Sequence, residues 1–420
     1  MAITAAAPRP PAPAGDRTDG QESDLAGWLA REAPGLPLVR QVVGEFCRRL
    51  GDEDVPLQRV LVSLRTLHPE LSTIGYLWRR SEAEVREVAR GHDLLSTPLY
   101  QDSPIRLIHE GEPEVRRRID PAATSFEFSV LADLKAAGAT DYVCLPLRFT
   151  HGRRNVISFA TDRPGGFSDR QLDRLRGLLP LLSLVLEVHA THQLAETLLD
   201  TYLGHEAGRR VLNGSVKRGD GRPISAALWY CDLRGFTALA ERLPATEVIA
   251  LLDEFFACMA EPVHRRGGEV LKFIGDAMLA IFPMADDLDR DRACLTALAA
   301  AREALAAFDQ LNDRRCELGR PALGVKIALH AGTVVFGNIG APTRLDFTAI
   351  GPAVNMVTRL EGLAGRLGLR LLASERFASP CNSQMVSIGY HPLRGIAVQQ
   401  ELFTVPEEEA RLRAGEAGDG

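Results

Sequence analysis

Two aspartates are the residues of this chain best suited to chemistry, and the first of them is Asp232. It follows the apolar run Ala226–Cys231, which predicts a buried strand, and a helix is expected to begin at Gly235. A carboxylate at the carboxyl end of a strand faces the crevice in which ligands bind. Because an aspartate at this place can also simply cap the following helix, Asp232 alone does not distinguish a site from a cap.

The second aspartate, Asp276, follows Gly275 between two apolar segments, Val270–Ile274 and Met278–Phe282. This pattern predicts a hairpin with a two-residue turn, which would hold Asp276 at its tip. If the hairpin and the first strand belong to one sheet, Asp232 and Asp276 converge on the same edge. Two adjacent carboxylates repel each other unless cations lie between them, so the pair predicts a site for divalent cations and bound phosphates.

The elements that would position these aspartates alternate in a simple order. An apolar helical face follows Asp232 and ends at Gly267-Gly268, the hairpin comes next, and a second helix (289–315) precedes a strand (323–336). This βαββαβ order predicts an α/β (α+β) domain with a ferredoxin-like, mostly antiparallel sheet. Later elements would extend the sheet: a strand at 347–350, a helix at 353–367 and a strand at 370–373.

Three segments, taken in order, resemble the signatures of the class III nucleotidyl cyclases. They are DLRGFT from Asp232, KFIGD from Lys272 to Asp276, and TAIGPAVNMVTR from Thr348 to Arg359. The resemblance covers residues 222–405 and is specific because all three segments occur together. It implies a cyclase catalytic domain over residues 222–405.

The resemblance implies an adenylate cyclase that converts ATP to 3′,5′-cyclic AMP and pyrophosphate. Two divalent cations, Mg²⁺ or Mn²⁺, would be held by Asp232, Asp276 and the carbonyl of Leu233. Arg359 would stabilise the charge that develops at the α-phosphate, a role that suits a planar guanidinium. Asn355 would hold the ribose and Arg394 the terminal phosphates.

Lys272 and Thr348 are the residues that would read the base. In this family a lysine with an aspartate or threonine at these positions accompanies adenine, whereas glutamate and cysteine accompany guanine. The chain carries the adenine pair in its threonine-bearing form. Two alternatives stay open: a catalytically inactive nucleotide-binding or dimerisation module, and a guanylate cyclase.

The resemblance also implies a homodimer with two composite sites. One chain would supply Asp232 and Asp276 to a site, and the other would supply the remaining residues: Lys272, Thr348, Asn355 and Arg359. Such a dimer would be closed and two-fold symmetric.

Residues 24–187 are expected to form a separate domain that resembles a GAF-type sensory domain. A helix over 38–50, a helix through 55–67 and a first strand at 73–78 are followed by strands at 141–149 and 155–161. Ser168 would cap a helix beginning at Asp169. The resemblance implies a pocket for an unknown small molecule, but Tyr76, Trp78 and Phe159 are predicted to be core residues rather than pocket residues.

The helix from Asp169 is expected to reach Leu203 and to connect the two domains. Apolar and small residues recur along it at the spacing of a parallel two-helix seam: Leu184, Val188, Thr191, Ala195, Leu198 and Tyr202. This spacing indicates a dimerising connector, and the alternative is a helix packed on its own domain. Residues 188–221 are thus a helical linker followed by a loop from Gly204.

Composition limits the remaining function classes. The 420 residues carry a net charge of −6, which gives no basic surface for nucleic acid. The seven cysteines show no C-x-x-C spacing, which predicts a reducing, cytoplasmic location. Leu178–Val188 is too short to span a membrane. Residues 1–22 and 406–420 are predicted to be disordered ends.

Overall fold

The computed structural model describes residues 24–150, 152, 154–284 and 287–416, and the chain divides into two compact units between Leu198 and Leu199. The predicted disordered segment 1–22 lies outside the described residues. Each unit contains its own sheet and its own hydrophobic core.

The first unit is built on a six-stranded antiparallel sheet in the order β3-β2-β1-β6-β5-β4. Its strands are β1 (Arg59–Arg65), β2 (Leu71–Arg79), β3 (Arg86–Gly91), β4 (Val115–Arg118), β5 (Asp141–Arg148) and β6 (Arg154–Thr161). Its helices are α1 (Leu25–Arg31), α2 (Val39–Asp52), α3 (Pro98–Gln101), α4 (Pro104–Glu110), α5 (Ser129–Ala136) and α6 (Asp169–Leu203). Short 3₁₀ turns occur at Ala33–Gly35 and His92–Ser96.

The predicted helix through 55–67 is wrong, because β1 occupies Arg59–Arg65. The segment alternates with a period of two: Val60, Val62 and Leu64 enter the core, and the residues between them face the other side of the sheet. A short apolar run cannot be assigned to helix or strand by periodicity alone. Tyr76 and Phe159 are buried in the same core, as predicted.

Helix α6 begins with a reciprocal cap. The N–H of Gln171 donates to Oγ of Ser168, and the N–H of Ser168 donates to Oε1 of Gln171, which confirms the predicted helix start. Its first part packs leucines into the core of the first unit. Three residues of the predicted seam are exposed in the single chain: Leu184 (51%), Val188 (60%) and Tyr202 (78%).

Among the described residues, α6 is also the one helix long and apolar enough to cross a membrane, with a mean hydropathy of 1.2 over its most apolar window. A buried core helix can have the same length and composition. Several leucines of α6 pack against the sheet in the core of the first unit.

The second unit is built on an eight-stranded sheet. Its strands are β7 (Gly221–Arg234), β8 (Glu269–Ile274), β9 (Ala277–Met284), β10 (Gly324–Ala341), β11 (Arg344–Ile350), β12 (Leu371–Ser374), β13 (Val386–His391) and β14 (Gln400–Thr404). Its helices are α7 (His205–Leu212), α8 (Phe236–Ala240), α9 (Ala245–Arg265), α10 (Asp287–Glu317), α11 (Pro352–Leu367), α12 (Glu375–Ala378) and α13 (Pro406–Glu416). A 3₁₀ turn at Ser379–Cys381 follows α12.

The strands of this sheet lie in the order β13-β14-β12-β10-β7-β9-β8, and β11 pairs with β10. Every pairing is antiparallel except that of β10 with β12. Helices α9 and α10 bury their apolar faces on one side of the sheet, through residues such as Phe255 and Phe308, and α11 packs on the other side. The predicted mixed α/β class with a mostly antiparallel sheet is confirmed, whereas the ferredoxin-like arrangement stays a prediction.

Three boundaries in the second unit differ from the prediction. Strand β7 does not stop at Asp232 but continues to Arg234, because β10 pairs with it that far. Helix α7 occupies part of the predicted loop, where Glu206 forms ion pairs with Arg209 and Arg210 one turn away. The predicted disordered tail is helical over 406–416, and its Glu408 is buried.

Candidate active site

Asp232 and Asp276 meet at one edge of the second sheet. In the pairing of β7 with β9, Asp232 lies directly opposite Ala277, the residue after Asp276. The turn between β8 and β9 places Gly275 at a φ of +65°, a conformation that glycine adopts without strain. The sequence-predicted convergence of the two aspartates is therefore present, although Asp232 lies inside its strand and does not cap a helix.

The two carboxyl groups interact so closely that they do not ionise together easily. Burial and the neighbouring Asp232 raise the pKa of Asp276 to about 7. Burial also opposes ionisation of Asp232, but the neighbouring Asp276 carboxyl and the ammonium group of Lys326 together hold its pKa below the usual value. Asp232 is thus the more acidic member of the pair, and Asp276 is the one that binds a proton more readily.

Lys326 and Glu361 complete this cluster, and the sequence reasoning missed both. Lys326 Nζ lies 2.8 Å from Oδ2 of Asp232 and also forms an ion pair with Glu361 on α11. In the pairing of β7 with β10, Lys326 stands directly opposite Asp232. A lone lysine inside the apolar strand GVKIALHAG was the available signal, since such a charge needs a partner.

The donor set at this edge fits a divalent cation that is shared with a phosphate. The Oδ1 atom of Asp232 is buried and has no hydrogen-bond partner among the described residues. Across all the residues that the structure describes, no three His, Cys, Asp or Glu side chains lie close enough together to hold a metal ion by themselves. Mg²⁺ is commonly bound by one or two carboxylates together with substrate phosphates, and two carboxylates meet that need. The side chain of Leu233 is in the core, so only its backbone could add a ligand.

Lys272 and Thr348 lie in neighbouring parts of the same sheet. Lys272 Nζ donates to Oδ2 of Asp346 at 2.9 Å, and Asp346 precedes Thr348 by two residues on β11. Thr348 is 4% exposed, and its Oγ1 atom is buried without a hydrogen-bond partner in the described structure. A buried hydroxyl in this state has one donor and two acceptor positions free for a ligand.

Asn355, Arg359 and Arg394 form a second group. Asn355 is exposed on the first turn of α11, and Arg359 follows one turn later on the same face. The Arg359 guanidinium lies about 3.5 Å from where a Cβ on Gly395 would stand, and Gly395 follows the exposed Arg394 in the chain. Within one chain, no hydrogen bond or ion pair joins this group to Asp232 or Asp276 across the described residues.

Part of the second unit is similar to known proteins. Residues 223–388 match the family model for the adenylate and guanylate cyclase catalytic domain. An adenylate cyclase of Anabaena cylindrica is 39% identical over 150 residues, which are 35% of this chain and 28% of that protein. Adenylate cyclase 1 of Rhizobium meliloti (strain 1021) is 32% identical over 193 residues, which are 45% of this chain and 28% of that protein.

The solved structures that are similar to the chain include the adenylyl cyclase CyaB from P. aeruginosa. It is 25% identical, covers 44% of this chain and 95% of its own, and has a TM-score of 0.41. The chain spans less than a third of the length of the two curated relatives.

Proposed function

Because residues 223–388 match the family model for the adenylate and guanylate cyclase catalytic domain, we propose that the protein is an adenylate cyclase that converts ATP to 3′,5′-cyclic AMP and pyrophosphate. The observation that carries the proposal is the carboxylate pair at one sheet edge, in which Asp232 keeps a buried oxygen without a partner. This pair is suited to hold two divalent cations, Mg²⁺ or Mn²⁺, against a triphosphate.

In the reaction, the ribose 3′-hydroxyl attacks the α-phosphorus and pyrophosphate leaves. The cations, when bound, would acidify that hydroxyl and offset the charge of the triphosphate. Asp232 and Asp276 hold them at the sheet edge, with the Leu233 carbonyl as a further ligand. Arg359 stabilises the charge at the α-phosphate, while Asn355 orients the ribose and Arg394 contacts the terminal phosphates.

Lys272 and Thr348 select adenine in this proposal. The free hydroxyl of Thr348 supports the assignment, because it can donate to a ring nitrogen or accept from the exocyclic amine. Lys272 is held by Asp346 in the single chain and exchanges that partner for the base. We propose that Thr348 places the protein in the threonine-bearing subgroup. Because a hydroxyl serves as both donor and acceptor, the discrimination against guanine should be moderate rather than absolute.

A homodimer supplies the complete site. The group of Asn355, Arg359 and Arg394 is not bonded to the carboxylate pair of the same described chain, which supports a site shared between two copies. The first unit is proposed to act as a GAF-like sensory domain that regulates turnover. The exposed face of α6, with Leu184 and Val188, is the proposed dimerising connector.

One assay tests the proposal. The purified chain is incubated with ATP or GTP in the presence of Mg²⁺ or Mn²⁺, and the cyclic product is identified by chromatography and mass spectrometry. We expect cyclic AMP from ATP and a smaller yield of cyclic GMP. The matched control is Asp253→Asn, a change of an exposed carboxylate on α9, which should leave the yield unchanged. Cyclic GMP as the main product would identify a guanylate cyclase, and no product with either nucleotide would favour an inactive module.

A further inference from the structure

The first unit contains a cavity of about 240 Å³ on the face of its sheet that is turned away from the main core. Strands β1, β2, β3, β5 and β6 contribute to its lining, and α3, α4 and the turn His92–Ser96 cover it. This volume is just below the usual range for ligand pockets and is enough for a small organic molecule.

The residues that β1 turns to this face are not those of a packed core. Its inward residues are all apolar, whereas the cavity side carries Arg59, Leu61, Ser63 and Arg65 in succession. A strand covered on both faces normally reads as a continuous apolar run. The polar residues on the covered face therefore indicate contact with something other than protein.

Among these residues, Arg59 is the one that most favours an anionic ligand. It is half-buried, and the residues in line with it are Ala160 and Tyr142 on β6 and β5 and Arg79 on β2. It forms no ion pair with any acid in the described part of the chain. Burial lowers the pKa of its guanidinium group and the nearby Arg79 adds to this effect, whereas Tyr142 and Asp133 partly oppose it. A partly buried cation without an ion-pair partner is costly, and an anionic ligand would remove that cost.

A second cationic region lies at the mouth of the cavity. Arg65, Thr73 and Arg90 occupy one row across β1, β2 and β3, so the two arginines flank the threonine on the same face. Both arginines are exposed, which suits attraction of an anion more than its final binding. The one acid among the lining residues, Asp102, accepts from the N–H of Ser129 at 2.9 Å and so serves the start of α5.

His109 supplies a polar group that is free for a ligand. Its Nδ1 atom lies 3.0 Å from the hydroxyl of Tyr100, whereas its Nε2 atom is buried and has no partner among the described residues. Burial and the nearby Arg65 lower the pKa of His109 to about 4, so the ring is neutral at physiological pH. A neutral ring can donate or accept according to its tautomer.

The rest of the lining is apolar. Leu61 and Leu77 stand directly opposite each other on β1 and β2, with Val88 in the next row on β3. Leu99 and Leu95, which also line the cavity, are 57% and 45% exposed at its edge. An alkyl or aryl group would cover this leucine surface and remove it from water.

We propose that this cavity binds a small amphipathic anion, with its carboxylate or phosphate group on Arg59 and its apolar body between Leu61 and Leu77. The guanidinium fork of Arg59 can bind either anionic group through two hydrogen bonds. The His109 imidazole and the Thr73 hydroxyl contact polar atoms nearer the mouth. The proposal concerns the first unit alone and does not depend on the cyclase assignment.

Isothermal titration calorimetry of the full chain tests this site with three probes of equal chain length: octanoate, octyl phosphate and 1-octanol. We expect the anions to bind at least about tenfold more tightly than the alcohol, which corresponds to roughly 1.4 kcal/mol. Whichever of octanoate and octyl phosphate binds more tightly identifies the anionic group. The comparison with 1-octanol needs no substitution, so it stands even if a variant fails to fold.

The variant Arg59→Met keeps the length of the side chain and removes its charge. It should weaken the binding of the preferred anion by about tenfold or more while leaving 1-octanol unchanged. The matched control is Arg80→Met, a change of a surface arginine of the same unit that is paired with Asp162. Equal affinity for the alcohol and both anions, no binding of either anion at millimolar concentration, or unchanged anion affinity in folded Arg59→Met would each overturn the proposal.

Discussion

The ammonium group of Lys326 lies 2.8 Å from the Oδ2 atom of Asp232, so a cation from the chain itself already contacts the carboxylate proposed to hold metal. The same ammonium group is paired with Glu361 on α11. The cluster thus joins the sheet edge to the helix that carries Asn355 and Arg359. The stability of a variant without Lys326 therefore tests whether this lysine supplies the positive charge that the two carboxylates need.

Lys326→Met should destabilise the metal-free protein by about 2 kcal/mol, because two half-buried carboxylates lose their counter-charge. Added Mg²⁺ should then stabilise this variant more than the unchanged protein, since a divalent cation replaces the lost charge. Chemical denaturation with and without Mg²⁺ measures both effects. Lys217→Met, which changes an exposed lysine, is the control. Adding Glu361→Gln to Lys326→Met should recover part of the stability, and an unchanged midpoint in all variants would refute this account.

Asp232→Ala or Asp276→Ala should lower cyclase turnover by more than about a hundredfold, because each removes a proposed metal ligand. Their effects on stability should differ. Asp276→Ala removes the burial cost and the repulsion by Asp232 that raise the pKa of Asp276, so above pH 7 it should leave the melting temperature unchanged or higher. Asp232→Ala should lower it, because Lys326 then loses a partner. Normal turnover in both variants, with unchanged dependence on Mg²⁺, would remove these residues from the metal site.

The double variant Lys272→Glu, Thr348→Cys should reduce the preference for ATP over GTP by about tenfold or more. A site that hydrogen-bonds one base rejects another by leaving buried polar groups unpaired, and the exchange reverses those groups. Comparing kcat/KM for the two nucleotides measures the change. Asp346→Asn, which weakens the contact to Lys272 but keeps both base-reading residues, is the control and should preserve the ratio. An unaltered ratio in the double variant would exclude the pair from base selection.

Mixing inactive Asp232→Ala and Arg359→Ala chains should restore activity if each site takes residues from two copies. A mixed dimer places both changes in one site and leaves the other site whole, so about a quarter of the normal activity is expected from random exchange. The control is each variant incubated alone under the same conditions. Subunit exchange is verified with two affinity tags. A mixture that exchanges but stays inactive would mean that all these residues act within one chain.

His330 should make the second unit sensitive to acid. It is buried, its Nδ1 atom lies 2.7 Å from Oγ of Ser374, and burial lowers its pKa from 6.5 to about 4. Between these values the unfolded chain binds a proton that the folded chain does not, so stability falls as the pH falls. The loss at pH 4 should approach about 3 kcal/mol. Denaturation at pH 7 and pH 4 measures it.

The matched variants for this prediction are His330→Asn and His264→Asn, the second of which changes an exposed histidine on α9. His330→Asn should reduce the loss of stability between pH 7 and pH 4, whereas His264→Asn should leave that loss unchanged. Equal slopes in both variants would show that other groups cause the acid sensitivity.

The parts of the site that could be predicted depend on local sequence. The glycine turn before Asp276 and the apolar strand around Asp232 are short-range signals, and pairing two such strands was enough to bring the aspartates together. The lone lysine in an apolar strand indicates that Lys326 needs a partner, but local sequence does not identify that partner. Only the register of β7 with β10 and the packing of α11 bring Lys326 to Asp232 and Glu361. The roles of the site residues stay predictions until the variants above are measured.

The same division between local and distant causes holds for the fold. The cap at Ser168 and the continuous apolar pattern are enough to predict the long helix from Asp169. The segment of β1 is instead predicted to be a helix, because its short apolar run fits either period. Its strand state depends on pairing with β2 and β6, which no local pattern shows.

The buried carboxylate of Glu408 has a practical consequence for where this chain can be cut. It accepts from the N–H and Nε of Arg370 at 3.0 and 2.9 Å, so α13 is tied to the start of β12. A truncation after Val405, where the cyclase resemblance ends, would discard that carboxylate and leave Arg370 with Asp309 alone. Shortened versions of the catalytic unit should therefore retain the chain through Glu416, and affinity tags at this end should be attached beyond it.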